Sequence, residues 1–183
     1  MIVLIRWSYG LYLFAKYTIT KGSYIGVWPH IAFTLTLFQT LQSVEVVHCI
    51  LKLVPSNAVQ TAMQIASRLI LVWGILRPVP ESRDSLGLPL LMTAWSIAEA
   101  TRYLYYALNI YDVVPKILVW ARYSFFIILY PVGVTGELWA IISALPFIWK
   151  SSILSLPLPN PLNVSVYYSW ILYGIMASYI PCE

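Results

Sequence analysis

The run Arg122-Tyr-Ser-Phe-Phe-Ile-Ile-Leu-Tyr130-Pro-Val-Gly133-Val-Thr-Gly136-Glu137-Leu138 decides how this chain is read. It has the apolar density of a membrane helix, yet it holds an arginine, a tyrosine, a carboxylate, a proline and two glycines. A helix that only faces lipid has no use for that set. Tyr130 and Glu137 are seven residues apart, close to two helical turns, so both point to one side. Gly133 lies between them on that side, three residues from the tyrosine and four from the glutamate. Its missing side chain predicts an open notch between a phenol and a carboxyl group. Pro131 removes the N–H that would bond the carbonyl of Ile127, so a kink is predicted beside Tyr130. The plain alternative is a packing tyrosine, a Pro-Gly kink and a glutamate that marks the membrane exit.

Composition outside this run sets the class. Of 183 residues, 60% are hydrophobic and 10% charged, and the mean hydropathy is +0.77. Soluble domains carry about 25% charged residues. The expected class is therefore all-α, a polytopic membrane helix bundle with about six transmembrane helices, forming a single membrane-embedded domain over 1–183. The long continuous apolar runs do not alternate as the strands of a membrane β-barrel do. The net charge of +4 includes no basic run of five or more residues, so nucleic acid is not an expected partner. Cys49 and Cys182 have neither metal-site spacing nor a disulfide framework, and Cys49 reads as a small buried thiol.

The spans follow in order. A short first segment runs from Ile2 to Phe14, interrupted by Arg6. No small-residue cleavage site follows it, so it reads as a membrane segment rather than a removable signal. Lys16 to His30 reads as a linker. The second span, Ile31 to Leu53, carries Gln39, Gln42, and Glu45 with His48 on one face. Pro55-Ser56-Asn57 predicts a tight turn. The third span, Ala58 to Leu76, carries Gln64 and Arg68, and an arginine there requires a partner. Arg77 to Gly87 reads as a solvated loop. The fourth span, Leu88 to Asn109, holds Glu99 and Arg102 at i, i+3, with an intrahelical ion pair as the plain reading. The fifth runs from Ile117 to about Pro146. A proline-rich loop follows, with a glycosylation sequon at Asn163-Val-Ser165 abutting the last span, Val164 to Ile180. No internal repeat is found, which disfavours a small-solute transporter.

Intramembrane ionisable residues are functional candidates by default. The sequence has no Ser-His-Asp arrangement, no cysteine nucleophile with a following arginine, no metal cluster and no glycine-rich phosphate loop. General acid–base chemistry on an apolar substrate remains. A phenol and a carboxyl flanking a notch suit an elimination, one group taking a carbon-bound proton while the other assists a departing hydroxyl. Either group fits either role. The arginines suit an anionic head group.

The opening run, extended back to Trp120, closely resembles the signature of the 3-hydroxyacyl-CoA dehydratases, also called protein tyrosine phosphatase-like proteins. Further matching stretches are Glu45-Val-Val-His48-Cys49, Gln64 with Ser67-Arg68, Ala94-Trp95 through Glu99 with Arg102-Tyr103, Leu158-Pro-Asn160 and Ser178-Tyr-Ile-Pro181. The resemblance implies a six-span protein of the endoplasmic reticulum membrane that converts very-long-chain (3R)-3-hydroxyacyl-CoA to trans-2-enoyl-CoA, the third step of fatty acid elongation. It implies Tyr130 and Glu137 as catalytic residues, with Glu45, Gln64, Arg68, Arg122 and Gly133 in supporting or substrate-binding positions. It implies as partners the hydroxyacyl-CoA substrate, membrane lipid, and the elongase, ketoacyl-CoA reductase and enoyl-CoA reductase of the cycle. An elimination moves no electrons to an acceptor, so no cofactor is expected, and the residues offer no metal site. A non-catalytic membrane scaffold that binds those enzymes is the alternative. The resemblance places both termini in the cytosol. A count of loop charges, with Lys16, Lys21, Arg77, Arg83 and Lys150 on one side against Lys52 and Lys116 on the other, points the opposite way.

Overall fold

The computed structural model describes residues 2–51, 58–151, 153, 155 and 167–178. Among them every regular element is helical: α1 (Ile2–Lys21), α2 (Trp28–Gln42), α3 (Val44–Ile50), α4 (Ala58–Leu69), a π-helical segment (Ile70–Leu76), α5 (Pro80–Arg83), α6 (Gly87–Asn109), α7 (Lys116–Ser151) and α8 (Tyr168–Ser178). The all-α expectation holds. Of the described helices, one is long and apolar enough by itself to cross a membrane, α7.

Several boundaries differ from the sequence reading, each for a local reason. The first helix does not stop at Phe14 but runs through Lys21, and α2 begins at Trp28, so only 22–27 of the supposed linker is not helical. Thr18 and Thr20 give their hydroxyls to the carbonyls of Phe14 and Lys16, four residues back, and so remain compatible with the helix. The chain then turns at Gly22 and Gly26, both at positive φ. The second span is not continuous, because the helix is interrupted at Ser43 and restarts as α3. The third ends in π-helical turns. The fifth does not stop near Pro146. α7 carries both Pro131 and Pro146 inside one 36-residue helix.

The segment 77–86 is not a plain solvated loop either. Ser82 is fully buried and gives its hydroxyl to Val79 O at 2.8 Å. Arg83 donates from Nε to Leu76 O at 2.7 Å and from Nη2 to Arg77 O, covering carbonyls left open where the π-helical segment ends. Asp84 accepts the Gly26 N–H at 3.1 Å, tying this segment to the turn between α1 and α2.

The most extensive packing is between α6 and α7, with α1 laid across α6 and α2. Small residues permit it. A Cβ added at Gly136 would lie 2.8 Å from Leu91 N, and one at Gly87 2.6 Å from Ala140 N. Backbone meets backbone here, the usual means of helix association in lipid. The core gathers at this end of the bundle, with Val72, Ile75, Leu76, Leu88, Leu91 and Ala140 all inaccessible. The outside is apolar too: Ile19, Phe33, Ile117, Phe126, Ile127 and Ile128 are each more than 60% exposed. Apolar exposure on that scale matches a lipid-facing surface rather than a water-facing one. The predicted turn at Pro55-Ser56-Asn57, the sequon at Asn163, Cys182 and the stretches Leu158–Asn160 and Tyr179–Pro181 lie outside the described residues.

Candidate active site

Toward the Lys116 end of α7, away from the Gly87–Gly136 contact, α4, α6 and α7 separate around a cavity of about 530 Å³. α7 supplies Arg122, Tyr130, Gly133 and Glu137 from one face, as the seven-residue spacing predicts. α4 supplies Gln64 and Arg68, and α6 supplies Trp95 and Arg102. Six of the seven residues singled out in the sequence therefore meet in one cavity. The seventh, Glu45, is not among its lining residues.

Tyr130 and Glu137 occupy different levels. Glu137 is 7% exposed and Tyr130 is 55% exposed, so the carboxyl belongs to the floor and the phenol to the mouth. About 10 Å of helical rise separates their Cα atoms, a gap narrowed by two long side chains that share a cavity. Trp95 donates its indole N–H to Glu137 Oε1 at 3.0 Å. That donor fixes the carboxyl orientation from the neighbouring helix. The Tyr130 ring rests against Phe126, one turn earlier, at 5.1 Å.

Gly133 does what the notch reading requires. A Cβ there would find only Ala94 Cβ at 3.6 Å, an ordinary contact. Packing does not demand a glycine at this position, in contrast to Gly136. What a side chain at 133 would take up is cavity space.

Behind the cavity wall is a chain of charges. Glu99, 3% exposed, accepts from Arg68 Nη1 at 2.5 Å on one oxygen and from Arg102 Nη2 at 2.5 Å on the other. Arg102 reaches on to Glu45 Oε2 at 3.2 Å. The plain reading of Glu99 with Arg102 as an intrahelical pair is thus true but partial. Glu45 faces Arg102, and His48 lies exposed beyond it. Arg68 has the partner its position calls for, and it also lies 5.2 Å from the Trp95 ring. Such a chain keeps two guanidinium groups at the cavity wall while neutralising most of their charge.

Arg122 is held differently. Its guanidinium lies over the rings of Tyr105 and Tyr106, at 4.4 Å and 4.9 Å, and its Nη1 is buried without a hydrogen-bond partner. A buried guanidinium N–H facing a cavity suits an anionic or carbonyl ligand.

Sequence reasoning gave Trp95 no role beyond its place in a matching stretch. A signal was present: Trp95, Glu99 and Arg102 recur at i, i+4 and i+7, one inward face of α6. Cys49 is buried as expected, 3.8 Å from Thr61 Oγ1.

Comparison with known proteins agrees with the resemblance. A family model described as "Protein tyrosine phosphatase-like protein, PTPLA" matches residues 39–183. The chain belongs to the PTPLA family. It is 41% identical over 166 residues to the dog very-long-chain (3R)-3-hydroxyacyl-CoA dehydratase 1, covering 91% of this chain and 67% of that protein. It is 42% identical over 163 residues to the mouse very-long-chain (3R)-3-hydroxyacyl-CoA dehydratase 2, covering 89% of this chain and 64% of that protein. It is also 38% identical over 181 residues to the Arabidopsis thaliana very-long-chain (3R)-3-hydroxyacyl-CoA dehydratase PASTICCINO 2, covering 98% of this chain and 81% of that protein. The chain thus spans two thirds or less of several mammalian PTPLA relatives it matches. No solved structure matches it.

Proposed function

We propose that this chain is a very-long-chain (3R)-3-hydroxyacyl-CoA dehydratase, removing water to give trans-2-enoyl-CoA in the third step of the fatty acid elongation cycle. One observation carries the reading: Tyr130, Gly133 and Glu137 line a single cavity together with Gln64, Arg68 and Arg122. The names of its PTPLA relatives supply the substrate class. The acyl chain enters between helices, C2 and C3 lie against Gly133, and the CoA portion remains at the mouth, where Arg122 offers its unpaired N–H.

In the mechanism Glu137 takes the proton from C2 and the electron pair of that bond forms the C2=C3 double bond. The C3–O bond breaks, and the departing hydroxyl leaves as water with a proton from Tyr130. Charge and atoms balance when the proton on Glu137 returns to Tyr130 through solvent. Trp95 is compatible with Glu137 as the base, because its indole N–H donates to Oε1 and holds the carboxyl in one orientation. Elimination transfers no electrons to an acceptor, so it calls for no cofactor.

We further infer a six-span arrangement in the endoplasmic reticulum membrane, one dehydratase domain over 1–183, and association with the elongase and the two reductases of the cycle. The test is direct. Purified protein in detergent is given a long-chain 3-hydroxyacyl-CoA, and enoyl-CoA is measured. Wild type forms it, while Tyr130→Phe and Glu137→Gln each lose about 10²- to 10⁴-fold in rate. A wild type that forms none, or two variants that equal it, favours the scaffold alternative and removes the catalytic one.

A further inference from the structure

A second cleft, of about 680 Å³, lies between α2 and the π-helical segment. It is near the segment 77–86, whereas the candidate active site begins beyond the Gly87–Gly136 contact and extends toward Arg122. The cleft has two kinds of lining. Its apolar part is Ala32, Phe33 and Leu37 of α2, and Phe33 is 77% exposed. Its charged part is two arginines, each over a tryptophan: Arg77 at 4.4 Å from the Trp73 ring and Arg83 at 5.1 Å from the Trp28 ring. Trp73 is fixed in turn by its N–H, which donates to Thr40 Oγ1 at 3.0 Å.

The two arginines differ in what else they do. Arg83 spends Nε and Nη2 on the carbonyls of Leu76 and Arg77. Arg77 is exposed. Among the described residues neither is within ion-pair distance of a carboxylate. Asp84 is turned to the Gly26 N–H, and no acidic residue lines the cleft.

Arg–Trp pairs beside apolar side chains as exposed as Phe33 are suited to a molecule with an anionic head and a hydrocarbon tail. We propose that this cleft is a binding site for an anionic glycerophospholipid. The phosphate lies against Arg77 and Arg83, and one acyl chain follows Phe33 and Leu37. Charge complementarity decides the occupant, since a zwitterionic lipid would set its own cation beside two unpaired guanidinium groups. The proposal does not rest on the dehydratase reading, because the cleft shares no lining residue with the candidate active site.

The full chain in phosphatidylcholine nanodiscs provides the test. A fixed fraction of the lipid is replaced by phosphatidylglycerol or by phosphatidylcholine, each brominated along its acyl chains, and tryptophan quenching is read. The anionic lipid should quench more, and Trp73→Phe should remove most of that excess. Arg77→Gln, which leaves the Arg83 hydrogen bonds in place, should weaken the anionic preference about fivefold while helicity is unchanged. Equal quenching by the two lipids overturns the proposal. So does relief of the excess by inorganic phosphate alone, which would mark a free-anion site. An Arg77→Gln variant that keeps its lipid preference but alters the chain length of substrate turned over also overturns it, because the cleft would then hold the substrate tail.

Discussion

At the scale of single residues, α7 carries two glycines three positions apart whose substitutions should behave oppositely. Gly136→Ala places a Cβ 2.8 Å from Leu91 N and 2.9 Å from Leu90 Cβ. Overpacking of this kind costs about 1–3 kcal/mol. Gly133→Ala meets ordinary contact with Ala94 and should leave stability nearly unchanged, yet its methyl group takes up the cavity space that the proposed mechanism gives to C2 and C3. Thermal unfolding in detergent should therefore move for Gly136→Ala and not for Gly133→Ala, while turnover should fall for Gly133→Ala. The reverse pattern would remove the role given to Gly133. Trp95→Phe offers a second test at this scale. It deletes the N–H that Glu137 Oε1 accepts but keeps an aromatic ring. A hydrogen bond to a charged group is worth about 1.5–3 kcal/mol, so kcat should drop roughly 10- to 100-fold with KM little altered, as steady-state kinetics would reveal. Tyr130, Gly133 and Glu137 were legible from spacing alone, because helical periodicity fixes which side chains of one helix share a face. Trp95 was not assigned, since its use depends on the register of α6 against α7. No single sequence states that register.

At the scale of helices, the informative element is α6, which sets Trp95, Glu99 and Arg102 along its inward side. Glu99 contacts Arg68 of α4 and Arg102 of its own helix, and Arg102 contacts Glu45 of α3. Three helices are thereby fixed in rotation about their axes. Removing Glu99 leaves Arg68 charged and without its carboxylate in a low-dielectric interior, a loss of about 3–5 kcal/mol, while Arg102 keeps Glu45. Glu99→Gln should lower the unfolding temperature in detergent markedly. The double replacement Arg68→Met with Glu99→Met should recover part of that loss, because it buries no lone charge in place of the pair. Unfolding temperatures for the two proteins that agree would rule out the coupling. The i, i+3 half of this network could be read in the sequence, and so could the need for a partner at Arg68. Which carboxylate answers Arg68 depends on how helices lie against each other. The interruption at Ser43 and the π-helical turns of 70–76 escaped for a similar reason: both fall inside runs that continue the apolar pattern of a span, and packing, such as that of Tyr168 on Gly74, sets their local geometry.

At the scale of the whole molecule, composition indicated an all-helical chain with an apolar exterior, and the exposed isoleucines and phenylalanines of α1, α2 and α7 agree. The proposed six spans make a further statement that can be checked. With the N-terminus in the cytosol, the turns at 22–27 and 77–86 lie in the lumen, and the turn at 110–115 lies in the cytosol. Glycosylation acceptor sites inserted in microsome-expressed protein should be modified at the first two positions and not at the third. Modification only at 110–115 would favour the orientation suggested by the loop charges. Modification pattern reports topology directly, whereas a charge count over so few loops does not.

The length of α7 carries a last consequence. Thirty-six residues extend about 54 Å, and the stretch from Lys116 to Lys150 about 51 Å. A bilayer measures about 40–45 Å including its headgroup regions. With a lysine at each surface, α7 would lean by about 30°, within the range seen for membrane helices. The cavity lies along this slanted rod, between it and its shorter neighbours. If the dehydratase reading holds, membrane thickness would be a mechanical input to turnover: a thicker bilayer would draw α7 upright and alter the wedge that Tyr130 and Glu137 line. Turnover in vesicles built from lipids of increasing acyl length should pass through a maximum, with the free substrate concentration held constant. A flat response would mean that the α6–α7 contact at Gly87 and Gly136 resists the pull.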